Sequence, residues 1–136
     1  MLDSCGWLFE WKRTGREKRP FYFQLDEEMP FAFAGIWDTW SNRDDVVTSC
    51  AIITTAANEL VGELHDRMPA ILLDKFQDAW LDPKTDRAAL AEMLKPFPSL
   101  MMKTYPVSSS VNSPDNDRAD LLVRVDTEVG KTLSLF

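Results

Sequence analysis

Three aromatic-rich runs crowd the first forty residues, and their patterning leaves few folds open to the chain. Trp7-Leu8-Phe9-Glu10-Trp11-Lys12 alternates large apolar with polar residues. A strand here puts Phe9 and Trp11 on one face and Glu10 on the other. The polar stretch from Arg13 to Arg19, with Thr14-Gly15 inside it, reads as a hairpin loop. Pro20 to Leu25 is the return strand, Asp26-Glu27-Glu28-Met29-Pro30 a turn, and Phe31 to Trp37 a third strand. The three together are expected to form an antiparallel meander.

Asp38 to Val47 is a polar loop that retains Trp40, and Thr48 to Thr54 has the composition of a strand buried on both faces. Asn58 is suited to cap a short helical turn through Leu64. Ala70 to Leu73 reads as a short strand. Asp74 is expected to cap a helix through about Leu81, with Phe76, Ala79 and Trp80 inward. After Pro83, Asp86 to Lys95 is a second helix with Leu90, Met93 and Leu94 apolar. Leu100 to Val107 is another strand, leading into the loop Ser108 to Asn112, and Leu121 to Val125 pairs at an edge. Residues 126–136 show no periodicity. The class is mixed α+β, dominated by antiparallel strands.

At 136 residues, 45% hydrophobic and 27% charged, the chain is one globular domain with a real core. Its apolar runs fall far short of the ~20 residues of a membrane span. Met-Leu-Asp-Ser-Cys has no secretory pattern, and Cys5 and Cys50 make no disulfide framework, so the cytoplasm is the expected compartment. The net charge of −7 argues against nucleic acid, but its distribution softens that argument. Glu10 to Pro20 carries +3, which leaves −10 on the remainder. A basic loop on an acidic body can grip a phosphate backbone locally, and a solvated hairpin turn accounts for the same charges.

His65, the single histidine, lies in Leu60 to Leu73 with Asp66, Arg67 and Pro69 behind it. It is a general acid or base, or else a satisfied histidine at a strand end. Glu10, set among aromatics, has a raised pKa if desolvated and is an ordinary polar position if its face is open. Arg67 either holds a phosphate or pairs with Asp66, and Asn112 either orients a substrate or caps a turn. One histidine and two distant cysteines make no metal ligand set, no glycine loop has phosphate-binding spacing, and no serine sits in a nucleophile elbow.

Taken in order, Phe9-Glu10-Trp11-Lys12, Lys18 to Tyr22, Phe33-Ala34-Gly35-Ile36-Trp37, Ile53 to Asn58, His65-Asp66-Arg67-Met68-Pro69, Pro106-Val107-Ser108 and Val111-Asn112 form a specific set. It resembles the SOS-response-associated peptidase (SRAP) family over Phe9 to about Leu122. The resemblance implies an α+β, mostly antiparallel, barrel-like fold with a few short helices and its N-terminal part missing. Residues 1–8 are then a divergent start, 9–125 a SRAP-like domain and 126–136 a tail.

The chemistry implied is covalent capture of abasic sites in single-stranded DNA. The α-amine of an N-terminal cysteine attacks the sugar aldehyde, and the same residue's thiol closes a thiazolidine ring. An α-amine, with a pKa of about 7.7–8.0, is partly neutral at physiological pH, and two nucleophiles on one residue give the second step a high effective concentration. By motif match, Glu10 and His65 are the catalytic acid–base residues. Trp11, Arg67, Thr54, Thr55 and Asn112 are assigned to DNA contact, with stacking on Trp11 and phosphate on Arg67. The family name adds removal of a leader peptide and so peptidase or lyase chemistry, but no independent protease constellation supports it. No cofactor, metal or membrane is implied, and the expected form is a monomer, nucleoid-associated if bacterial.

The sequence departs from the family at its start. Members begin Met-Cys-Gly-Arg ahead of a long segment with no counterpart here, and Gly6-Trp7-Leu8-Phe9-Glu10 is one residue longer than the family's motif. Cys5 stands five residues from Glu10, about 17 Å along an extended strand, too far without a sharp fold-back. Missing strands are expected to expose Phe21, Phe23, Phe31, Phe33 and Trp37. The reading is therefore a SRAP domain without its nucleophile segment. The alternative is a non-catalytic remnant that binds single-stranded DNA.

Overall fold

The computed structural model describes residues 1–26 and 29–125. The expected turn at 26–30 thus lies partly, and the tail at 126–136 wholly, outside the described residues. Strands β2 (Leu8–Thr14) and β3 (Glu17–Leu25) form the expected hairpin, in register from Leu8 opposite Phe23 to Thr14 opposite Glu17. Gly15, at φ +62°, takes the left-handed conformation that closes the turn. The loop therefore shrinks to Gly15-Arg16, and the flanking cations expected in it belong to the strands.

The meander is not what forms. β3 pairs on its other side with β9 (Met102–Pro106), where Tyr22 stacks on Tyr105 at 5.0 Å. The third aromatic run opens β4 (Phe31–Ser41), which lies in another sheet between β1 (Leu2–Cys5) and β5 (Val46–Ile52), with β8 (Ile71–Leu72) also on it. The reason is burial. Phe31 to Gly35 are buried on both faces of β4 and need cover above as well as neighbours beside. Phe23 of the β2–β3–β9 sheet supplies that cover, in one cluster with Leu8, Phe31, Phe33, Val61, Met68, Ile71, Phe97 and Met102. A two-stranded ribbon of β6 (Thr54–Ala56) and β7 (Arg67–Pro69) completes the mainly antiparallel architecture.

Helices α1 (Asp74–Leu81) and α2 (Arg87–Met93) close the opposite side. Phe76, Ala79 and Trp80 pack with Leu90 and Leu94 around buried Ala34, Ala70, Leu72 and Met93. Asp86 caps α2, its carboxylate accepting from the Ala89 N–H at 2.8 Å. Asp74 does not cap α1. Leu73 is the capping residue, and Asp74 sits inside the first turn, where its charge still suits the helix dipole. Near the end, Ala119–Leu122 is a 3₁₀ turn rather than a strand, and Val107 and Arg124 make one bridge.

Two expectations about cover need correcting. Phe23, Phe31 and Phe33 are buried and Phe21 is half-buried; of the five side chains considered at risk, Trp37 alone is open, at 62%. The strand expected at Thr48 to Thr54 is exposed along nearly all of β5, because β4 and β5 run past the body as an arm. Cover stops where the Ala34 N–H donates to the Ala70 carbonyl and the Ile53 N–H to that of Ala34, tying the arm's root. Among the described residues no helix is long and apolar enough to cross a membrane.

Candidate nucleic-acid interface

Glu10 stands in β2 opposite Phe21, half-buried among aromatics. Burial raises its carboxyl above the ordinary range; the charge of His65 and the Trp11 backbone N–H pull it part of the way back. Of the two readings of Glu10, the desolvated one holds. An electrostatic influence of this kind also puts His65 in the neighbourhood of the carboxylate, although 55 residues separate the two in sequence.

The histidine is presented by a short, heavily hydrogen-bonded segment. Asn58 accepts at Oδ1 from the N–H groups of Leu60 (3.1 Å) and Val61 (2.9 Å), fastening the bend that leads into the 3₁₀ turn Val61–Glu63, whose capping residue is Leu60 rather than the expected Asn58. Its Nδ2 donates to the Phe97 carbonyl at 2.7 Å, fixing the turn to the core. The Val61 carbonyl then accepts from the His65 N–H at 3.0 Å.

The imidazole is half-exposed, and its Nδ1 accepts from the Arg67 N–H at 3.0 Å. Nδ1 accepts that bond in the neutral tautomer that carries its proton on Nε2. The same Nδ1 lies 3.1 Å from the Arg67 carbonyl oxygen and 3.2 Å from the Asp66 carboxylate. When the ring is protonated, Nδ1–H has an acceptor in place. A ring held in both charge states suits proton transfer.

Arg67 does not pair with Asp66. Its guanidinium reaches Thr54, with Nε at 3.3 Å and Nη2 at 3.0 Å from Oγ1, and among the described residues it makes no ion pair. The charge is oriented without being neutralised, as a phosphate contact requires. Thr55 is not part of this group. It lies opposite Met68 in the ribbon, on the face away from Thr54 and Arg67, because successive strand residues alternate.

Trp11 and Asn112 meet elsewhere. The indole Nε1–H donates to Asn112 Oδ1 at 2.6 Å, and both line an open cleft of about 480 Å³ with Lys18, Val111 and Pro114. Trp11 continues a ladder from Trp7 to Phe9 (5.0 Å) to Trp11 (6.3 Å) on the face of β2 opposite Glu10. The expected residues thus fall into two groups: Glu10 with His65, and Arg67 with Thr54 beside that histidine; then Trp11 with Asn112 across the strand. Lys18 was expected only as one charge of a basic loop. Opposite Arg13 in register, it shares the Trp11 face, a period-two signal hidden by reading that stretch as loop.

Both cysteines are free, Cys5 with its thiol against the Trp7 carbonyl and Cys50 exposed on β5. Among the described residues no cluster of three or more His, Cys, Asp or Glu is arranged to hold a metal ion.

Residues 4–114 match the model of the SOS response associated peptidase (SRAP) family. The chain is 42% identical over 118 residues to the abasic site processing protein YoqW of Bacillus subtilis (strain 168), covering 85% of this chain and 53% of that protein. With the abasic site processing protein YedK of Escherichia coli (strain K12) it shares 29% identity over 119 residues, 86% of this chain and 53% of the other. A crystal structure of a Bacteroides thetaiotaomicron protein superposes with a TM-score of 0.83 at 32% identity, over 91% of this chain and 56% of that one. The chain spans about half the length of the curated relatives it matches.

Proposed function

Because the chain belongs to the SOS response associated peptidase family, we propose that it provides the acid–base and strand-binding part of an abasic-site processing protein. The reaction is capture of the aldehyde of an abasic site in single-stranded DNA. A primary α-amine adds to the aldehyde carbon and water leaves, giving an imine; a thiol then adds across the C=N bond and closes a thiazolidine. Glu10, as carboxylate, takes the proton the amine loses on addition. His65 gives a proton to the sugar ring oxygen as the hemiacetal opens, then recovers it. Arg67 holds a phosphate next to the site and Trp11, on the other face of β2, stacks a base further along the strand, neither requiring sequence preference. The setting is cytoplasmic, and one copy of the chain suffices.

The observation that carries this reading is the electrostatic link between Glu10 and His65, with burial raising the carboxyl toward the range of a useful general base. A non-covalent reading competes with it on one point. The nitrogen of Cys5 is locked in a peptide bond within β1, and Cys50 lies on the exposed arm, so neither supplies both an amine and a thiol.

One denaturing gel separates the two. The protein is mixed with single-stranded DNA carrying one abasic site, both as these 136 residues and joined behind a family N-terminal segment that begins Met-Cys-Gly-Arg. The expected result is a covalent band from the joined form alone, weakened at least tenfold by Glu10→Gln or His65→Ala, since general acid–base groups contribute roughly 10²–10⁴ in rate. No band from any form, with a salt-sensitive non-covalent shift instead, establishes the binding reading.

A further inference from the structure

We propose that the tip of the β2–β3 hairpin is a second nucleic-acid contact, a phosphate-backbone site next to the base stacked on Trp11. It rests on the reading that the Trp11 cleft takes single-stranded DNA, and it adds where the strand goes next. The tip holds Lys12, Arg13, Arg16, Lys18 and Arg19 against one acid, Glu17.

The register makes this arrangement costly unless an anion is present. Lys12 is directly opposite Arg19, and Arg13 directly opposite Lys18, two successive like-charge pairs in one ladder. Such pairs destabilise a hairpin. Three cations elsewhere on the surface have acidic company: Lys95 with Glu92, Lys103 with Asp26, Arg118 with Asp120. Among the described residues none of the five tip cations makes an ion pair. A tip that served only solubility could mix its signs, as the rest of this acidic chain does.

Position supplies the second argument. Side chains two residues apart share a strand face about 7 Å apart. Arg13 and Lys18 therefore follow Trp11 and Pro20 on one face, and Lys18 already lines the cleft with Trp11 and Asn112. Lys12 and Arg19 follow Glu10 and Phe21 in the same way on the other. The sequence of contacts along the first face is an aromatic platform and then a cation pair one step further out. That is the arrangement by which single strands are bound through stacking and charge. Neither cation pair is buried, so their replacement leaves the core intact.

The test uses the full chain and an undamaged 20-nucleotide oligothymidine, with binding followed by fluorescence anisotropy over a range of salt concentrations. Each phosphate contact to a single strand contributes about 0.7 to the slope of log K against log[salt], so Arg13→Gln/Lys18→Gln is expected to reduce the slope by about 1.4. Trp11→Ala is expected to weaken binding while leaving the slope nearly unchanged. Without DNA, the double variant is expected to melt no lower than the parent, because repulsion is removed. With DNA, its melting temperature is expected to rise less. A slope and DNA-induced stabilisation identical to the parent's overturn the tip site while leaving abasic-site capture standing. A tip-dependent slope, with no effect of an abasic site on binding or covalent capture, keeps the tip and removes the proposed chemistry instead.

Discussion

The β2–β3 and β4–β5 hairpins both reach beyond the packed core, yet one carries cations out to its turn and the other bares apolar side chains along its strands, ahead of the polar turn Asn42 to Asp45. β3 is anchored by Phe23, which has no exposed surface, before its ladder runs out to Lys18 and Arg19. β4 starts equally deep, with Phe31 to Gly35 buried, and then leaves the body carrying Ile36, Trp37 and Trp40 at 59%, 62% and 59% exposure. Trp40 pairs across the arm with Val47, itself half open. The first hairpin is well solvated and attractive to anions, though its like charges repel each other. The second places apolar surface where nothing in the described chain covers it, which is a liability for aggregation. An apolar run in sequence thus fixes that a strand forms, while its distance from the core decides whether that strand is buried.

The largest effect that sharpens this contrast comes from the hairpin roots. Phe23→Ala is expected to cost about 3–5 kcal/mol, enough to unfold much of the population, whereas Trp40→Ala on the arm is expected to stay within about 0.5 kcal/mol. Urea unfolding measures both, and similar losses would erase the distinction between root and arm. Next in size is Asn58→Ala. It removes the hydrogen bonds that start the turn before His65 and leaves the Phe97 carbonyl without its donor, for an expected loss of about 2 kcal/mol. Asn58→Asp keeps the acceptor and loses the donor, so its melting temperature should fall between the two. The smallest stability change is expected for Ile36→Thr/Trp37→Thr/Trp40→Thr. The melt should barely move, while the concentration at which light scattering begins should rise several-fold. An unchanged onset would mean the arm is not the aggregating surface.

Particular residues show what the sequence conveyed and what it withheld. The β2–β3 hairpin, the turn after Asn58 and both helices were legible because each follows from neighbours within a few positions. Pairing of β3 with β9 was not, because Tyr22 and Tyr105 meet across 83 residues, and local alternation does not name a partner strand. The exposure of β5 was misread for a related reason. Its composition suits a buried strand, and only the position of the Ala34–Ile53–Ala70 junction shows that the body ends there. Within the site, Glu10, His65, Arg67 and Trp11 stood out by motif. The division of Trp11 and Asn112 from Glu10 and His65 followed from the face each occupies, and the place of Lys18 on the Trp11 face emerged only once the turn proved to be two residues long.

The raised carboxyl of Glu10 also has a consequence for stability. Its folded pKa lies above the ordinary 4.5, so the native state holds the proton more tightly than the unfolded chain. The favourable contribution is complete below 4.5 and is lost as pH rises through the folded value. Glu10→Gln escapes that loss. Its melting temperature should exceed the parent's at neutral pH, and the gain should disappear under acid conditions.

The most direct test of the central claim, that Glu10 and His65 share one site, is an NMR titration of the Glu10 side-chain carboxyl carbon in the parent and in His65→Ala. The parent should titrate above 4.5, and removing the imidazolium, which favours the carboxylate, should move the midpoint higher still. A midpoint at the ordinary value, unmoved by His65→Ala, would contradict the account.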